Sequence, residues 1–366
     1  MDRIAIIADD LTGALDAASP FACEGLNVWT VLQVDALDEA LAAKPDVISV
    51  STNSRDLNAA AAAQLARDAA QRVSAWRPNL ILKKIDSRLK GNIAVETAAV
   101  AEVFGYSRIV AAPAVPEQGR LVREGKVEGM GIGHALDIGQ IMPGGKFAIS
   151  VPDTAGDADL DRIANGWRDG EDVLFACARG LALAFARRFT RSAKPMRFAA
   201  LPPVLVAAGS RDPITARQVA ALRVANPDAA VVMAPGGIVP EASSSGALSV
   251  YACSGEVAAD AQTVAVRFAR SLAIEIDRAR PATMLLTGGE TAAAVLEALG
   301  VKLVQVRGEA APGLAWFELP AADGSPIACI SKSGGFGNEE TLVKTLAMKK
   351  TREYHAAVKS PLSSTV

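Results

Sequence analysis

The chain has 366 residues, half of them hydrophobic, with 38 basic and 40 acidic side chains and a formal net charge of −2. That balance supplies no overall positive field for a phosphodiester backbone or an anionic bilayer, so neither nucleic acid nor membrane is an expected partner. The length exceeds one ordinary compact core and suits two α/β units. Cys23, Cys177, Cys253 and Cys329 are far apart and form no C-x-x-C pair, which reads as reduced cysteines of a cytoplasmic protein. The short apolar run after Arg3 is cut off by Asp9 and Asp10, too soon for a signal peptide, and no uncharged apolar stretch is long enough to span a bilayer.

Short apolar β-type runs at residues 3–8, 27–34, 47–51, 80–85 and 108–112 alternate with helical patterns at 57–76, capped by Asp56, and at 93–104. Such alternation implies a largely parallel sheet covered on both faces. From Glu117 to about Pro152 glycines crowd a stretch with little period, read as loops and short strands at the substrate end of the domain. Helical patterns resume at Asp159 and over 180–189, and Lys194, Pro195, Pro202 and Pro203 mark a linker. Alternation then restarts: strands at 204–208 and near Val231 and Leu248, a helix from Pro213, a long helix over 256–280, a strand at 284–286 and a helix over 291–299. Strands near Val304, Trp316 and Ile327 and a closing helix from about Asn338 complete it. The expected fold is α/β in two domains, each a largely parallel sheet flanked by helices: residues 1–195, residues 196–350, and a polar tail at 351–366.

Three groups of residues carry chemistry. Ala8-Asp9-Asp10-Leu11-Thr12-Gly13-Ala14 ends the first strand and opens the first helix, the edge where ligands bind in open α/β sheets. Its carboxylates can accept hydrogen bonds from a polyol, and Asp10 or Thr12 can equally be a simple helix cap. Lys83-Lys84-Ile85-Asp86-Ser87-Arg88-Leu89-Lys90-Gly91-Asn92 places cations, a carboxylate, a hydroxyl and an amide at another strand end. A charge run is more often a solvated face, but this one interrupts an apolar strand end, where a helix N-terminus adds a favourable anion field. In the second half, Ala208-Gly209-Ser210, Thr287-Gly288-Gly289-Glu290-Thr291 and Ser331-Lys332-Ser333-Gly334-Gly335-Phe336-Gly337 form three small-residue turns, and three in one domain suggest a phosphate cradle. There is no G-x-x-x-x-G-K-[ST] loop, no G-x-G-x-x-G fingerprint and no G-x-S-x-G elbow, and the two histidines, His134 and His355, cannot build a histidine cluster.

Together these stretches resemble the four-carbon acid sugar kinase family. The likeness rests on the Ala8–Ala14 motif, Lys84-Ile85-Asp86-Ser87, Gly91-Asn92, Ala112-Pro113-Ala114 through Pro116 with Gly119-Arg120, then Gly209-Ser210, Gly288-Gly289-Glu290-Thr291 and Lys332-Ser333-Gly334-Gly335-Phe336-Gly337. It implies an N-terminal acid-sugar domain, a C-terminal nucleotide domain, ATP with Mg²⁺ as cofactor, and phosphorylation of threonate, erythronate or a 3-oxo relative at the terminal hydroxyl. It also implies that Ser210, Gly288, Gly289, Glu290, Thr291, Gly334 and Gly335 contact ATP, and that Asp9, Asp10, Lys84, Asp86, Ser87, Asn92 and Arg120 line the acid site. Arg88 joins that site on its charge, since a carboxylate needs a cationic partner from among Lys84, Arg88, Lys90 and Arg120. The chain departs from the family pattern at Arg88, Lys90, Val115 and Cys177-Ala178-Arg179-Gly180, which keeps a non-catalytic sensor of a sugar acid or nucleotide as the alternative and leaves a homodimer open. With neither histidine in a motif, the proton acceptor is expected to be a carboxylate: Asp86 first, because Lys84 two positions earlier would share its strand face and keep it ionised, then Asp10, which has the competing cap role.

Overall fold

The structure is a computed structural model that describes residues 2–191, 196–240, 246–254, 260–320 and 324–347. The expected tail at 351–366, the linker residues Lys194 and Pro195, and the first residues of the 256–280 helix lie outside the described residues. The N-terminal half runs β1 (Ile4–Ala8), α1 (Leu11–Cys23), β2 (Val28–Val31), α2 (Leu37–Ala42), β3 (Val47–Ser51), α3 (Ala59–Ser74), β4 (Leu80–Lys84), α4 (Ile93–Phe104) and β5 (Arg108–Ala112). It continues through β6 (Arg120–Arg123), β7 (Lys126–Gly129), β8 (Leu136–Asp137), α5 (Ile138–Ile141), β9 (Ala148–Ser150), α6 (Asp157–Gly166), β10 (Leu174–Cys177) and α7 (Arg179–Arg188). The C-terminal half is β11 (Val204–Ala208), α8 (Pro213–Ala225), β12 (Ala230–Pro235), β13 (Leu248–Ser254), α9 (Ala261–Ala279), β14 (Thr283–Thr287), α10 (Gly289–Ala298), β15 (Leu303–Ala311), β16 (Leu314–Pro320), β17 (Pro326–Lys332) and α11 (Thr341–Thr345).

Residues of β1, β3, β4, β10, β11 and β14 are buried throughout, as expected of parallel strands covered by helices on both faces. Two local expectations change. The third helix is capped by Asn58, whose side chain accepts from the Ala61 N–H, and not by Asp56, because Asn58 is the residue held in extended backbone just before the first helical turn. Strand β10, inserted between β4 and β5, falls in a stretch given no strand by the sequence. Its four residues are all buried, so they show no alternation to read.

Each half is largely parallel, as expected, but the halves share one sheet of 14 strands ordered β12-β13-β11-β14-β17-β16-β15-β2-β3-β1-β4-β10-β5-β9. The seam is the antiparallel ladder of β2 with β15, where Val28 to Val31 pair with Val306 to Leu303. Three consecutive antiparallel ladders, β2 with β15, β15 with β16 and β16 with β17, reverse strand direction between the halves. In a flat sheet the C-terminal strand ends of the halves would lie on opposite edges. A twist of roughly 20–25° per step turns the sheet by well over a right angle between β1 and β14, swinging those ends toward each other. A separate three-stranded sheet, β6-β7-β8, occupies the glycine-rich stretch.

Beneath the strand ends lies a buried ion pair. Lys83 on β4 and Glu96 on α4, each about 1 % exposed at the side chain, meet at 2.8 Å. The Ser54 hydroxyl donates to the other Glu96 oxygen at 2.7 Å, and Ser54 and Thr52 hydroxyls are 2.6 Å apart, so the pair anchors the loop that follows β3. Removing one partner of such a pair strands a buried charge, whereas removing both need not. Lys83→Met should therefore cost about 3–5 kcal/mol in urea unfolding, and adding Glu96→Leu should recover much of the loss. A single variant within experimental error of the parent would contradict this.

Candidate active site

The ends of β1 and β4 and one face of α1 form one wall of a cleft. Its lining includes Asp10, Thr12, Asp16, Arg55, Lys84, Asp86, Ser87, Arg88, Val115, Gln118, Arg120 and Arg179. The opposite wall comes from the C-terminal half: Gly313, Ala315, Ser331, Ser333, Gly335 and Phe336.

Three carboxylates on the first wall share one guanidinium. Arg55 donates from Nε and Nη2 to the two oxygens of Asp9, both at 2.8 Å, and from Nη1 to Asp10 Oδ2 at 2.6 Å. Its Nη1 also lies 3.8 Å from Asp86 Oδ2. Burial works against the charge on Arg55, but Asp10, Asp9 and Asp86 outweigh it and raise its pKa. Burial likewise opposes ionisation of Asp9, yet Lys83, Arg55 and Lys84 together hold its pKa below the ordinary value. Asp10 carries the cap role: its Oδ1 accepts from the Gly13 N–H at 2.7 Å while Oδ2 also accepts from the Thr12 hydroxyl at 2.9 Å. Asp86 is less engaged, with Oδ1 accepting from the Arg88 N–H at 2.6 Å and Oδ2 facing only the longer contact with Arg55. The expected pairing of Asp86 with Lys84 is not what forms. Lys84 donates to the Ile85 carbonyl at 3.0 Å, and Arg55 takes its place because Asp86 lies beyond the end of β4, where strand alternation no longer applies.

Arg88 and Arg120 are the other cations of this wall. Arg120 donates to the Ser87 hydroxyl at 2.8 Å, Gln118 Oε1 at 2.6 Å and the Met130 carbonyl at 2.9 Å. Burial first and the positive charge of Arg88 second lower its pKa. Among the described residues, Arg88 has no ion-pair partner. Asp86 and Asp16 offset part of the repulsion between these two guanidinium groups, and a bound anion would relieve the rest. A further cation, Arg179, is 3 % exposed and joins the halves: it pairs with Glu117 at 2.6 Å, Asp16 at 3.4 Å and Glu309 of β15 at 2.7 Å. Burial raises the pKa of Asp16, against the pull of Arg179 and Lys84.

The three small-residue turns of the second half pack on one another. A Cβ on Gly334 would stand 2.0 Å from Ser210 Oγ, and one on Gly209 would stand 2.0 Å from Thr291 Oγ1, so neither position admits a side chain. Gly288 has φ +101° at the start of α10, a backbone region that only glycine enters freely. Ser331 and Thr287 are buried at the strand ends beneath these turns, and among the described residues their hydroxyl oxygens have no partner. The two walls meet closely, since a Cβ on Gly289 would stand 3.2 Å from Thr12 Oγ1 and 3.6 Å from Asp10 Oδ2.

Of the residues expected in the site, Asp10, Lys84, Asp86, Ser87, Arg88, Arg120 and Gly335 line the cleft, with Ser210, Gly288, Gly289 and Gly334 packed around its second wall. Asp9 is 2 % exposed beneath Arg55, Asn92 donates to the Leu57 carbonyl at 2.9 Å, Thr291 is buried against Gly209 and Glu290 is exposed. Lys90 and His134 are exposed and do not line the cleft. Arg55 and Asp16 were not singled out by sequence, and Arg179 only as part of the departing Cys177-Ala178-Arg179-Gly180 turn and not as a site residue; a polar run right after an apolar strand, Thr52-Asn53-Ser54-Arg55-Asp56, was the signal available for Arg55.

Residues 4–135 match the family described as "Sugar-binding N-terminal domain" and residues 245–342 the one described as "Nucleotide-binding C-terminal domain". A D-threonate kinase of Bordetella bronchiseptica is 29 % identical, covering 96 % of this chain and 98 % of its own. A 3-oxo-tetronate kinase of Pseudomonas fluorescens is 26 % identical over 93 % of this chain and 95 % of its own. A solved structure from Salmonella typhimurium LT2 has the same fold, with a TM-score of 0.74 at 20 % identity, covering 96 % of this chain and 100 % of that one. With both domains matched in the order the glycine turns and acidic strand ends require, and kinase relatives aligned along nearly its whole length, this chain belongs to the four-carbon acid sugar kinase family.

Proposed function

We propose that this protein transfers the γ-phosphate of ATP to the terminal hydroxyl of a four-carbon sugar acid in the cytoplasm, with residues 1–195 holding the acid and residues 196–350 the nucleotide. The observation that carries this reading is the meeting of the two walls. Asp10 and Thr12 stand against Gly289, so a hydroxyl held by one wall faces a phosphate held by the other. The second wall fits a nucleotide: its small-residue turns let backbone N–H groups come close to a phosphate, and the Ser331 hydroxyl, on a residue that lines the cleft, has no partner among the described residues. The N-terminus of α10 adds a favourable field.

In this reading the acid's carboxylate binds between Arg88 and Arg120, and Ser87 and Lys84 orient its hydroxyls. Asp86 accepts the proton of the reacting hydroxyl through Oδ2, the less occupied oxygen among the three carboxylates. Arg55 fixes the carboxylates in place and helps hold the pKa of Asp9 below its ordinary value. Among the described residues no three carboxylate, cysteine or histidine side chains gather into a metal cage. Mg²⁺ would be held largely by phosphates with one or two carboxylates; Asp212, whose Oδ2 lies beside Gly335, is at hand. When bound it neutralises phosphate charge. Asp10 is a second reading for the base, favoured by its contact with Gly289.

The test is ADP release from ATP with a panel of four-carbon acids and the corresponding neutral tetritols. Acids should be turned over and tetritols should be poor substrates, with Arg88→Met raising KM for the acid by roughly ten- to a hundredfold, as for a lost charge-assisted bond. Equal turnover of erythritol and erythronate would remove the carboxylate from the account. Asp86→Asn should lower kcat by about two to four orders of magnitude while calorimetric ATP affinity stays near the parent value. Near-normal turnover there, with an inactive Asp10→Asn variant, transfers the base to Asp10.

A further inference from the structure

The turn after β17 has its carbonyls gathered to one side. Lys332, with no solvent exposure, donates from Nζ to the Ser333 carbonyl at 2.8 Å and to the Gly334 carbonyl at 2.9 Å. The Thr215 hydroxyl of α8 adds a second donor to the Gly334 carbonyl at 2.9 Å, and Gln218 Nε2 holds the Phe336 and Asn338 carbonyls at 3.0 and 2.8 Å. In a trans peptide the C=O of one residue and the N–H of the next point in opposite directions. Drawing the carbonyls of 333 and 334 toward Lys332 therefore turns the N–H groups of Gly334 and Gly335 away from it. Among the described residues, neither of these N–H groups donates to a backbone carbonyl. Successive outward N–H groups of this kind form an anion-binding concavity.

We propose that Lys332 is the positioning residue of a phosphate cradle, its ammonium holding two peptide units so that the Gly334 and Gly335 N–H groups face a phosphate of the bound nucleotide. This rests on the reading that the second half binds ATP. It assigns Lys332 a task different from that of a lysine that only touches phosphate, since two of its three N–H donors are engaged by the backbone. A neutral amine would lose the charge assistance on both bonds and the positive field behind the turn.

The site titrates in an accessible range. Burial lowers the Lys332 pKa to about 8, only partly opposed by Asp212 at the cap of α8. Asp212 is the charged group that acts on it among the described residues, and its neighbours Thr287, Thr215 and Ser333 carry no charge. Lys332 is thus protonated below about pH 8 and loses its charge as pH rises, so nucleotide affinity should fall in that direction.

Calorimetry with ATP and, separately, with a four-carbon acid tests this on the full chain. From about pH 7 to about pH 9.5, ATP affinity of the parent should fall about tenfold or more while acid affinity falls much less. Lys332→Met should bind ATP about tenfold more weakly at about pH 7, raise KM for ATP and not for the acid, and lose the pH dependence. Thr215→Val, which leaves the ammonium in place, should weaken ATP binding less and keep the pH dependence; it and the parent titration decide the matter if Lys332→Met does not fold. ATP binding by Lys332→Met equal to the parent's, or parent affinity flat across this range, overturns the proposal alone. Failure of the parent to bind ATP at any pH overturns the proposed function with it.

Discussion

The cleft depends on the antiparallel pairing of β2 with β15. That ladder fuses two parallel half-sheets into one, and the two antiparallel ladders beyond it set the direction in which the second half runs. Parallel strands place their ligand-handling turns at their C-terminal ends. Reversal and accumulated twist bring the two sets of turns to one place instead of opposite edges. Helix α1 occupies the fold between them, capped by Asp10 at the cleft and packed along β15. Arg179 closes the same junction with ion pairs to both halves, and Glu309 is the one of its three carboxylate partners that comes from the C-terminal half.

Charge is distributed unevenly across the first wall, and that inequality decides what it can bind. Arg55 is committed to Asp9 and Asp10 and Arg179 to three carboxylates, so these cations have little left for a ligand. Among the described residues Arg88 has no ion-pair partner, and Arg120 beside it donates to neutral partners alone. A small anion is the ligand that such a pair favours. The β6-β7-β8 sheet supplies Arg120 at its first strand and carries the Met130 carbonyl that fixes its guanidinium. Its tight joint needs glycine at position 129, where φ is +115° and a Cβ would overlap the Gly119 carbonyl.

Much of this was legible in the chain because short apolar runs that give way to Asp9-Asp10, Lys83-Lys84 or Thr287 mark both the strand and the edge where chemistry gathers. The glycine turns were legible for the same reason. What sequence could not supply were relations between distant segments. Arg55 lies about 45 residues from Asp10, and only parallel pairing of β3 with β1 makes them neighbours. The seam between β2 and β15 joins residues with no local signal of partnership, so two domains were legible and their common sheet was not. Strand β10 was hidden by its own burial. Lys84 and Asp86 show the limit of strand alternation, since it ends with the strand.

The proposal that one cleft presents acid and nucleotide to each other can be tested by a crystal structure of the protein with a non-hydrolysable ATP analogue and a four-carbon acid. The terminal phosphate should lie among Gly289, Gly334 and Gly335, the acid's carboxylate on Arg88, and its terminal hydroxyl between the phosphate and Asp86 or Asp10. Nucleotide and acid in separate pockets, or the acid turned with its carboxylate toward the phosphate, would contradict it.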